Sequence, residues 1–374
     1  MGGNTVTISF VGDISLNNGY TRLFKEGARP FRGLLNVLSG SDLVAGNLEC
    51  LSAGSEGENL LKKPRLKTDL ETLDYLKQIN LGLACFAHNH IYDNLEDGFR
   101  RTAGFLREHG IHFLGASIRD LQDSASRDTL GNDEQGSETP SVLKLRVKGV
   151  HFAFFNYVTM DTNPALPTDA GIRLSILDRE KVLDDLDHAR EVDYRILILH
   201  WGGRYENSYF PGPEQLKMAR EFLNGGADLI VGHHSHTLQP VYHFRGKSVF
   251  FSLGNFCFDD IRSDGIVKKI SMRRWKESAV VNVTFSREGY GTEMIPFRLE
   301  NLHTVLDRSS LKRYKIRQVY FKLIRFSRLF WFIYYFGFRY LRPVLWELRN
   351  PDTDKNFWQR LSGLNREKIR GLFR

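Results

Sequence analysis

Short apolar runs alternate with longer amphipathic segments along this chain, and that alternation is typical of parallel strands joined by helices. Residues 80–87, 194–200 and 229–231 form the clearest apolar runs, which have the character of strands buried on both faces. Further strands are predicted at residues 5–11, 42–49, 111–115, 142–147, 151–157, 248–256, 279–285 and 294–299, and helices at residues 18–25, 69–79, 95–109, 178–190 and 213–223. The pattern therefore predicts an α/β fold.

Two polar stretches interrupt this pattern. Residues 117–140 are dense in Asp, Ser, Gly and Glu, and they are predicted to form a variable excursion. Residues 52–68 are predicted to form an exposed loop. Its charge pattern favours solvated side chains over contact with an anionic substrate. The cations of that loop, which are either solvated or in contact with an anionic substrate, are Lys62, Lys63, Arg65 and Lys67.

Side chains that commonly bind metals or catalyse proton transfer follow one predicted strand after another. A single residue of this kind is usually structural, and Asp13 taken alone is equally well explained as a helix cap. Five such strand ends need another explanation, because the carboxyl ends of strands in a wound α/β sheet meet at one edge. We therefore expect one site, built from Asp13, Glu49, Asn89 with His90, His200, and His234 with His236.

The stretch at residues 227–239 carries the strongest single signal. An apolar run ends at Gly232, and imidazoles follow at His233, His234 and His236. Histidine is the commonest metal ligand among side chains, so the cluster favours a metal site over a solvated or pH-sensitive loop. Together with the carboxylates, these nitrogen ligands suit one or two divalent ions such as Mn, Fe, Zn or Co.

Charge divides the chain into two parts. Residues 302–374 hold 17 Lys/Arg against 5 Asp/Glu, although the whole chain has a net charge of only +8. We predict a domain at residues 1–301 and a basic, aromatic-rich helical tail at residues 302–374.

The apolar run within that tail, residues 329–338, has ten residues and is too short to span a bilayer. Residues 308–348 then have two equally supported interpretations: peripheral contact with an anionic membrane, or packing on the domain. Nucleic acid is a third partner class and is less favoured, because no recognised module supports it.

The amino terminus enters a strand pattern at once, without the basic and apolar regions of a signal peptide. We therefore expect a cytoplasmic location, with peripheral attachment to the inner membrane face as the variant that the basic tail suggests.

Taken together, the ordered motifs resemble those of the bacterial capsule synthesis proteins of the CapA (PgsA) family, the poly-gamma-glutamate branch of the calcineurin-like metallophosphoesterase fold. The matching motifs are Gly12-Asp13, Gly46-Asn-Leu-Glu49, Asn89-His90-x-x-Asp93, His200-Trp-Gly202, Gly232-His-His-x-His236 with Leu238-Gln239, and Ser252-Leu-Gly-Asn-Phe256. They span residues 6–258. The resemblance implies a four-layer α/β sandwich of the metallophosphoesterase type.

The resemblance also implies roles for individual residues. The metal ligands would be Asp13, Glu49, Asn89, His200, His234 and His236. His90 would act on the leaving oxygen, with Asp93 in the same motif, and Arg204 stands where the family commonly has Glu and could bind an anion bidentately. Ser15 replaces a His of the wider superfamily, so the number of bound ions is one or two.

The set of ligand residues predicts a metal-dependent phosphoesterase-like hydrolase, and the resemblance alone implies that it acts in capsule or cell-envelope polymer synthesis of the poly-gamma-glutamate type. Its substrate would be an anionic polymer or a phosphoester, and it would work within a capsule-synthesis complex. Two alternatives belong to other classes: a non-catalytic assembly or export partner of a capsule synthase, and a cytosolic phosphoesterase.

Overall fold

The structure is a computed structural model that describes residues 5–118, 141–263, 266–268 and 273–338. Its chain divides into two compact units, Met1–Val319 and Tyr320–Arg374. The excursion predicted at residues 117–140 lies outside the described residues, apart from its first two positions.

The strands and helices follow one another in the order that the apolar pattern predicts. In chain order the strands are β1 (Val6–Ile14), β2 (Leu43–Leu48), β3 (Leu81–Cys85), β4 (His112–Leu114), β5 (Ala116–Ile118), β6 (Val142–Val147), β7 (Val150–Val158), β8 (Ile172–Leu174), β9 (Tyr194–His200), β10 (Leu229–His233), β11 (Val241–Phe244), β12 (Lys247–Phe250), β13 (Asn255–Cys257), β14 (Ile261–Ser263), β15 (Ile266–Lys268), β16 (Glu277–Ser286), β17 (Gly289–Glu300) and β18 (His303–Leu306). The α-helices are α1 (Gly19–Lys25), α2 (Leu35–Leu38), α3 (Asp74–Gln78), α4 (Leu95–Glu108), α5 (Arg179–Asp187), α6 (Pro213–Asn224), α7 (Arg273–Lys276), α8 (Ser310–Ile324) and α9 (Arg328–Phe336).

The strands assemble into two large mixed sheets. The first has the order β18-β17-β16-β1-β2-β3-β4, and β13 also pairs with β1. Strands β1 to β4 run parallel, whereas β16, β17 and β18 are antiparallel additions. The second sheet has the order β11-β12-β10-β9-β7-β6, with a parallel centre of β7, β9, β10 and β12. Parallel centres place the carboxyl ends of neighbouring strands side by side.

Two apolar layers hold the sheets and helices together. Buried side chains of both sheets, including Phe10, Leu83, Phe154 and Ile198, form one core between the sheets. A second core lies between the outer face of the first sheet and α1 to α4. Helix α6 contacts β10 of the second sheet and also contacts α5. The layers are therefore helix, sheet, sheet and helix, which confirms the predicted four-layer sandwich.

Local sequence signals explain several element ends. The side chain of Asp178 caps α5 by accepting a hydrogen bond from the backbone N–H of Lys181, at 3.0 Å. Strands β6 and β7 form a hairpin that turns at Lys148 and Gly149, whose φ angles of 46° and 86° are those of a tight two-residue turn.

The observed elements differ from the predicted ones at several places. The segment predicted as one strand at residues 248–256 forms two strands, β12 and β13, because Gly254 bends the chain with φ 78°. Strands β8, β11 and β18 and helix α2 lie outside the predicted strands and helices. All of these elements are short.

The first turns of α8 pack on the domain through buried polar contacts. The Tyr314 hydroxyl accepts a hydrogen bond from the backbone N–H of Val241, at 2.9 Å. The buried carboxylate of Glu277 accepts hydrogen bonds from Arg313, at 2.9 Å, and from Arg317. The tail sequence therefore begins as part of the first compact unit. Among the helices of the described ranges, none has both the length and the apolar character needed to cross a membrane.

Replacing a core leucine tests the packing between the sheets. Leu83 is fully buried there, so Leu83→Ala is expected to lower the free energy of unfolding by about 2–5 kcal/mol. The matched control is Leu60→Ala, because Leu60 is 78% exposed and its loss should change that free energy by less than about 0.5 kcal/mol. Urea unfolding measures both, and equal effects would contradict the placement of Leu83.

Neutralising Glu277 tests the packing of α8. Glu277→Gln leaves Arg313 and Arg317 without their shared carboxylate, and breaking such a buried pair costs about 3–5 kcal/mol of unfolding free energy. Glu300→Gln is the control, since Glu300 is half exposed and pairs with Arg298 at the surface. A loss below about 1 kcal/mol in Glu277→Gln would show that α8 does not depend on this carboxylate.

Candidate metal centre

The expected site residues lie together at the carboxyl ends of parallel strands from both sheets. Strand β1 carries Asp13 near its end, and Glu49 directly follows β2. His200 ends β9, and β10 leads into the turn with His234 and His236. Asn89, His90 and Asp93 follow β3, and all of these side chains are buried except that of His236, which keeps a small exposed fraction.

A first cluster contains two carboxylates and one imidazole. One ligand atom each from Asp13, Glu49 and His236 lie within 4.8 Å of one another. His236 Nδ1 is 3.3 Å from Asp13 Oδ2, and its Nε2 is 3.7 Å from Glu49 Oε1. Such an arrangement of oxygen and nitrogen donors is the kind that holds a divalent cation.

A second cluster lies beside the first and consists of an amide and two imidazoles. Asn89 Oδ1 is 2.9 Å from His200 Nε2, and His234 Nδ1 is 3.0 Å from the same nitrogen. The ring centroids of His234 and His236 are 6.1 Å apart, so the two clusters are neighbours. The structure thus brings together all six side chains expected as ligands.

Several potential metal-ligand atoms in these clusters are buried and make no hydrogen bond within the described part of the chain. They are Asp13 Oδ2, both carboxylate oxygens of Glu49, His200 Nδ1 and His234 Nε2. Leaving a buried charged or polar atom unpaired costs free energy, and most buried polar atoms in proteins are paired. A divalent cation would supply the missing interactions, so the side chains present fit a metal.

The backbone of the histidine turn is strained. His234 and His236 have φ angles of 87° and 54°, in the left-handed region that residues other than Gly rarely adopt. Such residues cost about 1–3 kcal/mol each and concentrate at functional sites. The two imidazoles are therefore held in place by the surrounding structure against a local cost.

Close backbone packing fixes Asp13. The backbone N–H of Asp13 donates to the Gly254 carbonyl at 2.9 Å. A Cβ atom on Gly12 would lie only 1.9 Å from that carbonyl oxygen, so glycine is required before Asp13. The side chains of Asn47 and His233 then contact Asp13 Oδ1 at 2.9 and 3.1 Å, which leaves Oδ2 for the first cluster.

The first cluster retains protons at neutral pH when no cation competes. Burial alone would raise the pKa of Asp13, but its interactions with the imidazoles of His233 and His236 outweigh burial and hold that pKa well below its usual value. Burial raises the pKa of Glu49 to about 8. Burial lowers the pKa of His236, yet the carboxylates of Glu49 and Asp13 more than compensate and raise it to about 9.

The imidazoles of the second cluster are neutral. Burial lowers the pKa of His234 to about 4, and burial together with the charge of His234 lowers the pKa of His200 far below its usual value. Neutral imidazole is the form that binds a metal. A cation must therefore displace protons from the first cluster, whereas the imidazoles of the second cluster are already deprotonated.

His90 and Asp93 form a buried pair at the edge of the site. Asp93 Oδ2 is 2.6 Å from His90 Nδ1, and His90 Nε2 faces Glu49 Oε1 at 3.8 Å. Burial lowers the pKa of His90 and raises that of Asp93 to about 8. Asp93 thus orients the ring so that Nε2 points toward the first cluster.

A cavity of about 250 Å³ opens onto these residues. Its wall at the loop after β9 is formed by Gly203 and Glu206, whereas the side chain of Arg204 is exposed. The anion-binding role expected for Arg204 stays a prediction. The other lining residues are Lys62, Lys63, Pro64, Asn89, His90, Asp161, Thr162, Asn163, His234, His236, Phe258 and Ile261.

Sequence reasoning missed several residues of the site. Lys62 and Arg65 are buried, at 3% and 7% exposure, so the solvated loop that the charge pattern favoured is wrong for these two cations. Lys63 and Lys67 are exposed as expected. Glu206 also lines the cavity, and its position in the glycine-containing loop after His200 was a signal that could have identified it.

Three relatives have names that refer to PGA biosynthesis, capsule biosynthesis or polyglutamine synthesis. The chain is 28% identical over 292 residues to the PGA biosynthesis protein CapA of Bacillus subtilis (strain 168), covering 77% of this chain and 70% of that protein. It is 24% identical over 306 residues to the capsule biosynthesis protein CapA of Bacillus anthracis, covering 79% and 68%. A Mycobacterium tuberculosis protein named "Probable polyglutamine synthesis accessory protein" is 28% identical over 299 residues, covering 76% and 74%.

Solved structures that align with the chain do so at low identity. A phosphatase from Mycoplasma pneumoniae aligns with a TM-score of 0.47 at 13% identity, covering 83% of this chain and 97% of that one. A 5'-nucleotidase precursor from Thermus thermophilus aligns with a TM-score of 0.42 at 15% identity, covering 86% and 59%.

The family model described as "Bacterial capsule synthesis protein PGA_cap" matches residues 7–260, which is more than half of the chain and includes every residue of both clusters. The chain therefore belongs to the PGA_cap family of bacterial capsule synthesis proteins, as its ordered motifs predicted.

Proposed function

We propose that the protein is a metal-dependent phosphoesterase-like hydrolase that acts in the synthesis of an anionic capsule polymer of the poly-gamma-glutamate type. The observation that carries this proposal is the set of buried carboxylate and imidazole atoms of Asp13, Glu49, His200 and His234 that make no hydrogen bond to any described residue. Family membership supports the capsule role, and the cavity beside these atoms gives a substrate access to them.

The two clusters define two cation positions in this proposal. Asp13, Glu49 and His236 would hold one ion, and Asn89, His200 and His234 would hold a second. Mixed oxygen and nitrogen donors suit Mn, Fe, Zn or Co. Ions bound there would polarise the phosphoryl oxygens and lower the pKa of a bound water.

His90 is proposed to serve the leaving group. Its Nδ1 is held by Asp93, so its Nε2 is the nitrogen that can exchange a proton with substrate in the cavity. A positioned imidazole that protonates a leaving oxygen contributes about 10²–10⁴-fold to a rate. Asp93 acts through His90 and is a positioning residue.

A second candidate is a non-catalytic assembly or export partner within a capsule-synthesis complex. The observation that favours it is the cluster of exposed apolar residues in the C-terminal unit, where Phe326 is 83% exposed. No Asp or Glu occurs in residues 308–346, so this surface also suits an anionic membrane. A cytosolic phosphoesterase without a membrane contact would need another explanation for these side chains.

Removing one proposed ligand tests the metal centre. His234→Ala should lower affinity for Mn²⁺ or Zn²⁺ by at least about 100-fold. Loss of a side chain that only hydrogen-bonds to a metal ligand already lowers metal affinity by about 10–100-fold, and loss of a ligand should cost at least as much. Manganese-supported hydrolysis of a phosphodiester should fall in parallel. Metal content is measured by mass spectrometry of the purified protein, and His188→Ala, at the exposed position directly after α5, is the control.

Two outcomes would contradict the proposal separately. Unchanged metal content in His234→Ala would exclude the second cluster as the cation site. Full metal loading without hydrolysis of any phosphoester would instead favour the assembly partner.

Cation binding should release protons and strengthen with pH. Glu49 and His236 have pKa values raised to about 8 and 9, so near neutral pH their protons must leave before a cation binds. Affinity for Zn²⁺ should therefore rise between pH 6 and pH 9. Titration calorimetry in buffers of different ionisation enthalpy measures the release, and identical enthalpies in such buffers would argue against this protonation state.

A further inference from the structure

Lys62 places a buried ammonium group at the wall of the site cavity. Its side chain comes from the loop before β3 and is only 3% exposed. Lys62 Nζ donates to the backbone carbonyls of Asn89 and Asn163, at 2.5 and 2.6 Å. Asn89 belongs to the second cluster, so the ammonium is bonded directly to the backbone of a proposed ligand.

The charge of Lys62 has no carboxylate partner within 4.0 Å among the described residues, and both of its acceptors are neutral carbonyls. Lys247 provides a contrast within the same chain. It also donates to a backbone carbonyl, that of Ala227, at 2.6 Å, but its ammonium lies 3.1 Å from Asp228. The carboxylates of Asp93, Glu49 and Glu206 act on the Lys62 charge from a greater distance. A buried charge without a direct ion pair is costly, so an oxyanion in the cavity would supply Lys62 with a counter-charge in direct contact.

The two carbonyls use two of the three N–H donors of Lys62 and fix the direction of the ammonium. The third donor has no hydrogen-bond partner among the described residues. The cavity next to it is also lined by His90, His234 and His236, which places a cation and the proposed metal ligands around one space.

The loop itself is held firmly in position. Arg65 Nη1 donates to the Lys62 carbonyl at 2.8 Å, and Arg65 pairs with Glu58 at 2.7 Å. The backbone N–H of Leu66 donates to Asp93 Oδ2, at 2.7 Å. Lys62 is therefore presented by a segment tied to the same carboxylate that orients His90.

We propose that Lys62 binds an oxyanion of the substrate beside the metal centre. The ligand class is a tetrahedral phosphoryl group, one oxygen of which accepts the third N–H of Lys62 while the remaining oxygens face the two clusters. This inference rests on the proposed function and adds a substrate-binding residue to it. Lysine binds phosphate as a point charge, so its contribution comes from charge and direction.

Binding of inorganic phosphate to zinc-loaded protein tests the proposal. Lys62→Met keeps the length of the side chain and removes the charge, so phosphate should bind at least 10-fold more weakly while zinc content stays at the wild-type value. Lys247→Met is the matched control, because it removes a carbonyl-bound lysine at the opposite end of the second sheet and should leave the phosphate dissociation constant unchanged. Phosphate affinity within twofold of wild type in Lys62→Met would overturn the proposal. So would loss of zinc from that variant, since Lys62 would then act only by holding Asn89.

A measurement on the wild-type chain does not depend on how Lys62→Met folds. In zinc-loaded protein labelled with ¹⁵N-lysine, the ammonium signal that Lys62→Arg lacks should shift on addition of phosphate, and the Lys247 signal should not. A Lys62 signal that is unaffected by saturating phosphate would contradict the proposal.

These results separate the inference from the proposed function. If phosphate binding depends on Lys62 but no phosphoester is hydrolysed, the anion site at Lys62 is supported and the hydrolase function is rejected. If phosphoesters are hydrolysed but phosphate binding does not depend on Lys62, the hydrolase function is supported and the anion site is rejected.

Discussion

Burial of ionisable side chains at one edge of the two sheets is the constraint on which this structure depends. Asp13 and Glu49 are fully buried, and imidazoles of His200, His234 and His236 surround them. Groups of this kind are costly inside a protein unless they are paired or bind a metal. Because several of their oxygen and nitrogen atoms make no hydrogen bond to the described residues, cation binding would stabilise the fold as well as equip the site.

The arrangement of the two sheets brings these buried ionisable side chains to a single site. Parallel strands of each sheet end at the same edge. Strands β1, β2, β3, β9 and β10 each contribute one or two polar side chains at or just after their ends. Gly12 allows β1 to approach the Gly254 carbonyl, and the left-handed turn at His234 and His236 directs two imidazoles inward. Packing between the sheets is thus what holds the strained turn and the charged groups together.

The sequence predicted those parts of the site that depend on local pattern. Asp13, Glu49 and His200 could be identified because each follows an apolar strand, and strand ends in such a sheet converge. Lys62 could not be identified, because it is held in the interior by hydrogen bonds to Asn89 and Asn163, which lie far away in the sequence. In addition, the composition of the loop around Lys62 is that of a solvated surface. Short edge elements such as β11 and β18 were missed for a related reason: they depend on pairing partners more than on their own residues.

The central claim is that a cation binds between the two carboxylates and the imidazoles. Anomalous diffraction from crystals grown with zinc measures this directly. We predict a peak at about 2.0–2.2 Å from ligand atoms of Asp13, Glu49 and His236, as zinc sites with nitrogen and oxygen ligands require. Crystals in which zinc binds only elsewhere, with these three side chains unaltered, would contradict it.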